Sequence, residues 1–165
     1  GLSKLGFMIK NKINFGNNVS LNKRLINRCV KHFCRPKVYP NFLKNLLKSR
    51  NNKKIKRIGC TDSSDGLFQA VQDLAIASKC KAIMNYENIP KDENWPKGEK
   101  WDEYYFFGGE DYELVFSLPK KWANKLSKLD KNINAIGYFI KGEPSIEFKD
   151  NKKDALLKKT PFKHF

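Results

Sequence analysis

The sequence predicts an α+β domain, a mixed sheet with helices packed on it, and three observations carry that prediction. Apolar residues at helical spacing alternate irregularly with short strand-like runs, without the regular strand–helix repeat of a doubly wound fold. The 165 residues suit one ordinary domain. At 40% hydrophobic and 13% aromatic, the chain has enough apolar side chains to bury a core.

Residues 2 to 10 suit a short helix. Ser20 then stands where an N-cap belongs, and Leu21, Leu25, Ile26, Cys29, Val30 and Phe33 recur at helical spacing. Arg35-Pro36 and Pro40 stop that helix, since proline lacks the backbone N–H and clashes with the preceding turn. A second short helix is expected over 41–49, with Phe42, Leu43, Leu46 and Leu47 inward, and the basic stretch from Lys48 to Arg57 reads as a solvated turn. A strand follows near 55–61 and a helix over 67–79, where Leu67, Val71, Leu74, Ala75 and Ser78 face one way. Residues 82–86 suit a strand. The Pro, Gly and charge content of 88–103 predicts a surface excursion carrying Trp95 and Trp101. Residues 112–118 alternate as a strand, and Pro119 at the first helical position opens a helix to about Leu129. Strands near 133–140 and 145–148 close the sheet across Lys141-Gly142-Glu143-Pro144.

With 33 basic against 17 acidic residues the net charge is +16, which raises nucleic acid or an anionic membrane as partner. The lysines are spread from Lys4 to Lys163 among many asparagines, and no basic run carries interleaved stacking aromatics, so a basic nucleic-acid-binding module is the alternative and not the leading reading. Cys29, Cys34, Cys60 and Cys80 form no CxxC pair, and His32 and His164 lie far apart, so the spacing does not suggest zinc. Free thiols in or beside apolar segments, no run approaching the roughly 20 apolar residues of a membrane span, and no charged-then-apolar leader predict a cytoplasmic setting. The start at Gly1, running at once into an apolar segment, reads as a cut inside a longer polypeptide.

Two loops concentrate acid in this basic chain. Asp62 and Asp65 stand three apart between a strand and a helix, where two carboxylates meet the free N–H groups of a helix start. Magnesium takes carboxylate oxygens together with water and substrate phosphates, so this is a geometry for a metal and a phosphate, with Ser64 adding a hydroxyl and Gly66 a close backbone. The plain alternative is a helix cap: Ser64 or Asp65 caps, Gly66 turns, and Asp62 is solvated. Gly108-Gly109-Glu110-Asp111 is the second loop; paired glycines suit positive φ or close approach of a ligand, the alternative being a hairpin turn. Neither histidine has a neighbouring serine or cysteine pattern for nucleophilic catalysis, and no catalytic side chain is assigned.

Together, Thr61-Asp62-Ser63-Ser64-Asp65-Gly66-Leu67, Gly108-Gly109-Glu110-Asp111-Tyr112-Glu113-Leu114-Val115-Phe116 and the closing His164-Phe165 resemble thiamine-monophosphate kinase, in order and spacing. The resemblance covers nearly the whole chain. It implies a C-terminal domain of the aminoimidazole ribonucleotide synthetase-like superfamily, spanning 1–165, with an N-terminal ATP-binding domain absent from these residues. It implies ATP-dependent phosphorylation of thiamine monophosphate to thiamine diphosphate with Mg2+, a homodimeric full-length enzyme, and a fragment inactive alone. Position by position, Asp62 and Asp65 would bind metal, Ser64 would contact ATP, and Glu110 and Phe165 would contact the thiamine substrate. A sister-family synthetase using another phosphate acceptor is the further alternative, against which the Gly-Gly-Glu-Asp-Tyr-Glu-Leu string weighs. Ser63 departs from the family's usual aliphatic residue, and Arg35-Pro36-Lys37-Val38-Tyr39 from its Arg-Pro-x-Pro-Arg, so the second arginine's role is absent or moved.

Overall fold

In a computed structural model of the chain, residues 2–11, 21–36, 39–50, 58–150 and 154–157 are described. Helices α1 (Leu2–Lys10) and α2 (Lys23–Cys34) pack on one another so closely that a Cβ on Gly6 would lie 2.2 Å from the Cys29 carbonyl oxygen. Leu25 and Cys29, one turn apart on α2, are fully buried against Leu5. Asn22 is the N-cap, its side chain accepting the Arg24 N–H at 2.8 Å; the Ser20 cap expected from the sequence lies outside the described residues.

Helix α3 (Phe42–Ser49) meets α6 (Lys120–Leu129). The Trp122 indole N–H reaches the fully buried Ser49 hydroxyl at 2.7 Å and the Leu46 carbonyl at 3.1 Å, so the tryptophan buries its ring without stranding its donor. Pro119 is the N-cap of α6, one position earlier than the sequence suggested.

The strands form two sheets. Strand β1 (Gly59–Asp62) pairs antiparallel with β3 (Leu114–Ser117), in register from Gly59 opposite Ser117 to Asp62 opposite Leu114. Strand β2 (Cys80–Met84) is the centre of the second sheet, antiparallel to β4 (Gly137–Lys141) and parallel to β5 (Ser145–Phe148). The mixed sheet is therefore present, with β1 and β3 standing apart from it. Helix α4 (Leu67–Ser78) links the two sheets and buries Phe68, Ala70, Val71, Leu74 and Ala75, and left-handed Lys79 then turns the chain directly into β2.

The surface excursion expected over 88–103 is overturned. Trp95 and Trp101 are 8% and 7% exposed, and residues from Glu99 onward enter helix α5 (Glu99–Phe107). The charges that suggested solvent are paired instead: Asp92 with Arg28 at 3.0 Å, and buried Asp102 with Lys91 at 3.3 Å and with the Tyr86 hydroxyl. Burying a carboxylate is costly unless it is paired in this way. Tyr105 packs against both apolar clusters, one around Leu5, Leu25, Cys29, Trp95 and Trp101, the other around Val71, Met84, Phe106 and Phe148. Each such side chain contributes about 1.5–3 kcal/mol. The short helix α7 (Asp154–Leu157) adds Leu156 to the second cluster.

Candidate active site

Strand β1 ends at Asp62, and the turn into α4 is built from its carboxylate. Asp62 Oδ1 accepts the Ser64 hydroxyl at 2.9 Å, with the Ser64 N–H at 3.5 Å. Ser63 turns inward and is 4% exposed. Its N–H donates to the Glu113 carbonyl at 2.9 Å, and its hydroxyl accepts the Glu113 N–H at 3.1 Å. The Ser63 hydroxyl thus adds a hydrogen bond that continues the β1–β3 pairing. Burial, then the Asp62 carboxylate, pushes the Cys60 thiol above its ordinary range.

The helix-cap alternative does not describe this turn. The N-cap of α4 is Gly66, at φ +96°, and not Ser64 or Asp65. The start of α4 presents the backbone N–H groups of its first turn and the positive end of the helix dipole. Gly66 is needed for its conformation and because a Cβ there would come within 3.0 Å of the Phe106 carbonyl oxygen.

The second loop lies directly on the first. Glu110 N–H donates to the Ser64 carbonyl at 2.6 Å, and a Cβ on Gly109 would sit 2.4 Å from that same oxygen. The paired glycines do not carry the positive φ expected of them: that falls on Glu110 at +66° and Tyr112 at +52°. A non-glycine residue in a sparsely populated backbone region costs on the order of 1–3 kcal/mol, so the surroundings must hold this loop. Nor is it a plain hairpin turn, since it joins α5 to β3 and packs on the 62–66 turn.

The loop's odd positions are held from behind. Asp111 Oδ1 accepts the Ser3 N–H at 2.8 Å. Glu113 Oε1 lies 3.4 Å from His32 Nε2 and 3.3 Å from the Tyr39 hydroxyl, which donates to it. Burial first, then the Glu113 charge, raises the Tyr39 phenol pKa. The Ser3 hydroxyl lies 3.0 Å from His32 Nδ1. Ser3, His32 and Glu113 thus stand in the order of a triad that the sequence hides, but Ser3 is 0% exposed and meets no substrate.

Asp62, Ser64, Asp65 and Glu110 therefore lie on two loops in direct contact, whereas Phe165 lies outside the described residues. Among the described residues no group of three or more His, Cys, Asp or Glu side chains gathers around one point. Two carboxylates at the β1–α4 turn are the oxygen donors on hand, a set that suits magnesium when phosphates and water complete its shell.

No protein-family profile matches the chain. Among solved structures it is similar to one described as AaThiL complexed with AMPPCP and TMP, with a TM-score of 0.64 and 22% identity over 90% of this chain and 44% of that one. It is equally similar, at TM-score 0.64 and 17% identity, to the crystal structure of thiamine-monophosphate kinase from Stenotrophomonas maltophilia K279a, over 90% of this chain and 46% of that one. These likenesses show the fold, an α+β arrangement of helices and mixed strands. The thiamine-monophosphate kinase of Prochlorococcus marinus is 32% identical over 165 residues, all of this chain and 50% of the relative. That of Buchnera aphidicola from Schizaphis graminum is 31% identical over 173 residues, again 100% of this chain and 50% of the relative. Over its whole length the chain is similar to thiamine-monophosphate kinases, and it spans about half the length of these relatives.

Proposed function

We propose that this chain is the C-terminal domain of a longer ATP-dependent kinase that phosphorylates thiamine monophosphate to thiamine diphosphate, and that it carries one part of the active site. The observation that carries the reading is the 2.6 Å bond from Glu110 N–H to the Ser64 carbonyl, which joins the two acidic loops into one surface. The fold neighbour complexed with AMPPCP and TMP supports ATP and thiamine monophosphate as the substrates.

In this reading Asp62 and Asp65 hold Mg2+, Ser64 contacts ATP at the start of α4, and Glu110 and Phe165 contact the thiamine substrate. Bound magnesium supplies neutralisation of phosphate charge. The Asp62 carboxylate orients the Ser64 hydroxyl through their 2.9 Å bond, and the first-turn N–H groups of α4 supply further donors to phosphate oxygens. The acceptor is itself an anionic phosphate, so transfer asks for positioning and charge compensation and not for a side-chain nucleophile. An N-terminal domain supplies the rest of the nucleotide site, the full-length enzyme is a homodimer, and this chain alone is inactive. A cytoplasmic location belongs to the same reading; the four cysteines are free, and no described helix is long and apolar enough to cross a membrane.

The test is the double variant Asp62→Asn, Asp65→Asn in protein containing both halves, assayed for thiamine diphosphate. Turnover should fall by at least ~100-fold, in line with removal of charge stabilisation from a transferring phosphoryl group. Turnover within twofold of the parent would remove the metal assignment, and robust turnover by the 165-residue chain alone would overturn the division of the site.

A further inference from the structure

The loop from Glu110 to Glu113 alternates. Glu110 and Tyr112 are exposed and left-handed, whereas Asp111 and Glu113 turn toward the helices behind. Left-handed backbone at two non-glycine residues persists only where neighbours impose it. One anchor reaches the loop from a helix with no place in the proposed site. On α2, Leu25, Cys29 and His32 follow one inward face, and His32 continues the apolar stripe with a ring whose side chain is 11% exposed. A buried ring used only for packing would need no second polar partner. This one has Ser3 at 3.0 Å on Nδ1 and Glu113 at 3.4 Å on Nε2.

We propose that His32 is a positioning residue, which fixes the Glu110–Glu113 backbone by tying Glu113 to Ser3, the residue whose N–H holds Asp111. The Glu113 carboxylate stands within ion-pair distance of Nε2 at 3.4 Å, and the Ser3 hydroxyl within hydrogen-bond distance of Nδ1 at 3.0 Å. Ser3 in turn gives its N–H to Asp111, so a single ring closes a circuit through both inward-facing acids. The loop then aims Glu110 outward with its N–H on the Ser64 carbonyl. The effect on substrate rests on the kinase reading; the effect on the loop does not.

The side-chain amides of Asn and Gln separate the two arms of the ring. Asn places its amide near the Nδ1 position and keeps Ser3 but cannot span to Glu113; Gln reaches toward the Nε2 position. Amide hydrogen exchange in the chain should rise about tenfold across 109–114 in His32→Asn, the scale of one lost hydrogen bond, with α1 and α2 unchanged. His32→Gln should return to within about threefold of the parent. In protein with both halves, the KM for thiamine monophosphate should rise about tenfold in His32→Asn, while the KM for ATP stays within about twofold. Parent-like exchange over 109–114 in His32→Asn, or a uniform rise through all helices with KM unchanged, overturns the proposal. Should His32→Asn fail to fold, Glu113→Ala, at a side chain 44% exposed, must show the same local rise, and parent-like exchange there overturns it equally. Absence of any turnover of thiamine monophosphate by the parent would refute the kinase reading and leave the exchange result to judge His32.

Discussion

Replacing Gly109 by alanine asks how much the contact between the two loops is worth. The new Cβ would stand 2.4 Å from the Ser64 carbonyl oxygen and 3.5 Å from its carbon, and both are backbone atoms that cannot swing aside. The loops must part, and the Glu110 N–H bond to that oxygen lengthens beyond use. Losing one hydrogen bond costs about 0.5–1.5 kcal/mol. Forced displacement in a packed region costs about 1–3 kcal/mol more. The sum, about 1.5–4.5 kcal/mol, is below the ~5–15 kcal/mol of a typical domain, so the chain should still fold. For a domain of this size it corresponds to roughly 3–18 °C in Tm. Denaturant titration at constant m-value is the assay, with Gly142→Ala as control, since a Cβ there meets Lys81 Cβ at an ordinary 3.5 Å. In protein with both halves, kcat/KM should fall by about 100-fold, as a displacement near 1 Å does in other sites. A Gly109→Ala midpoint equal to that of Gly142→Ala would refute the close packing of the two motifs.

Two further perturbations probe the frame around the site. Trp122→Phe removes the indole N–H, leaves the buried Ser49 hydroxyl and the Leu46 carbonyl without that donor, and should cost about 1–3 kcal/mol in denaturant titration; a loss under about 0.3 kcal/mol would mean the α3–α6 junction does not use these bonds. Burial pushes the Cys29 thiol up from an ordinary 9.0 to about 12, the Asp92 charge adding to it. The unfolded chain then ionises above about pH 9 while the folded thiol stays neutral, so this contribution is fully present below pH 9 and declines by about 1.4 kcal/mol per pH unit above it. Stability measured at pH 8 and pH 10.5 should therefore fall more steeply in the parent than in Cys29→Ala, and equal slopes would refute the buried thiol. In the folded chain Cys34 should be alkylated readily, Cys60 more slowly because its thiol is held above its ordinary range, and Cys29 only on unfolding.

Much of the helical framework was legible because one face of each helix is apolar. The spacing of Leu67, Val71, Leu74 and Ala75 placed α4 within a residue of its observed end, and α6 begins at Lys120, one residue after the Pro119 start expected from the sequence. Strand partners were not legible. Nothing local to Cys80–Met84 says that β4 will lie antiparallel on one side and β5 parallel on the other. Helix α5 was missed because Pro90, Pro96, Gly98 and a run of charges look like solvent-facing chain, whereas Arg28, Lys91 and Tyr86 neutralise the acids and let two tryptophans go inside. At the site, the paired acids and glycines were visible as separate motifs. Their contact was not, since Gly109 is explained only by a carbonyl from the other loop. His32 gave no signal, because its partners Ser3 and Glu113 are remote in sequence and its neighbours on α2 are those of a core position.

The pairing of Gly59–Asp62 with Leu114–Ser117 imposes an order of events during synthesis. The turn at Asp62 emerges from the ribosome early, but neither its edge partner nor the loop that rests on Ser64 exists until α5 has been made. The central strand Cys80–Met84 waits longer still, for Gly137–Lys141 and then Ser145–Phe148. Early segments must therefore persist with open strand edges until late ones arrive, a dependence on non-local contacts that slows folding and favours association with other chains. Helix α4, rich in local contacts, can form in the interval, and it keeps the two waiting strands at its ends ready for partners that have yet to be translated.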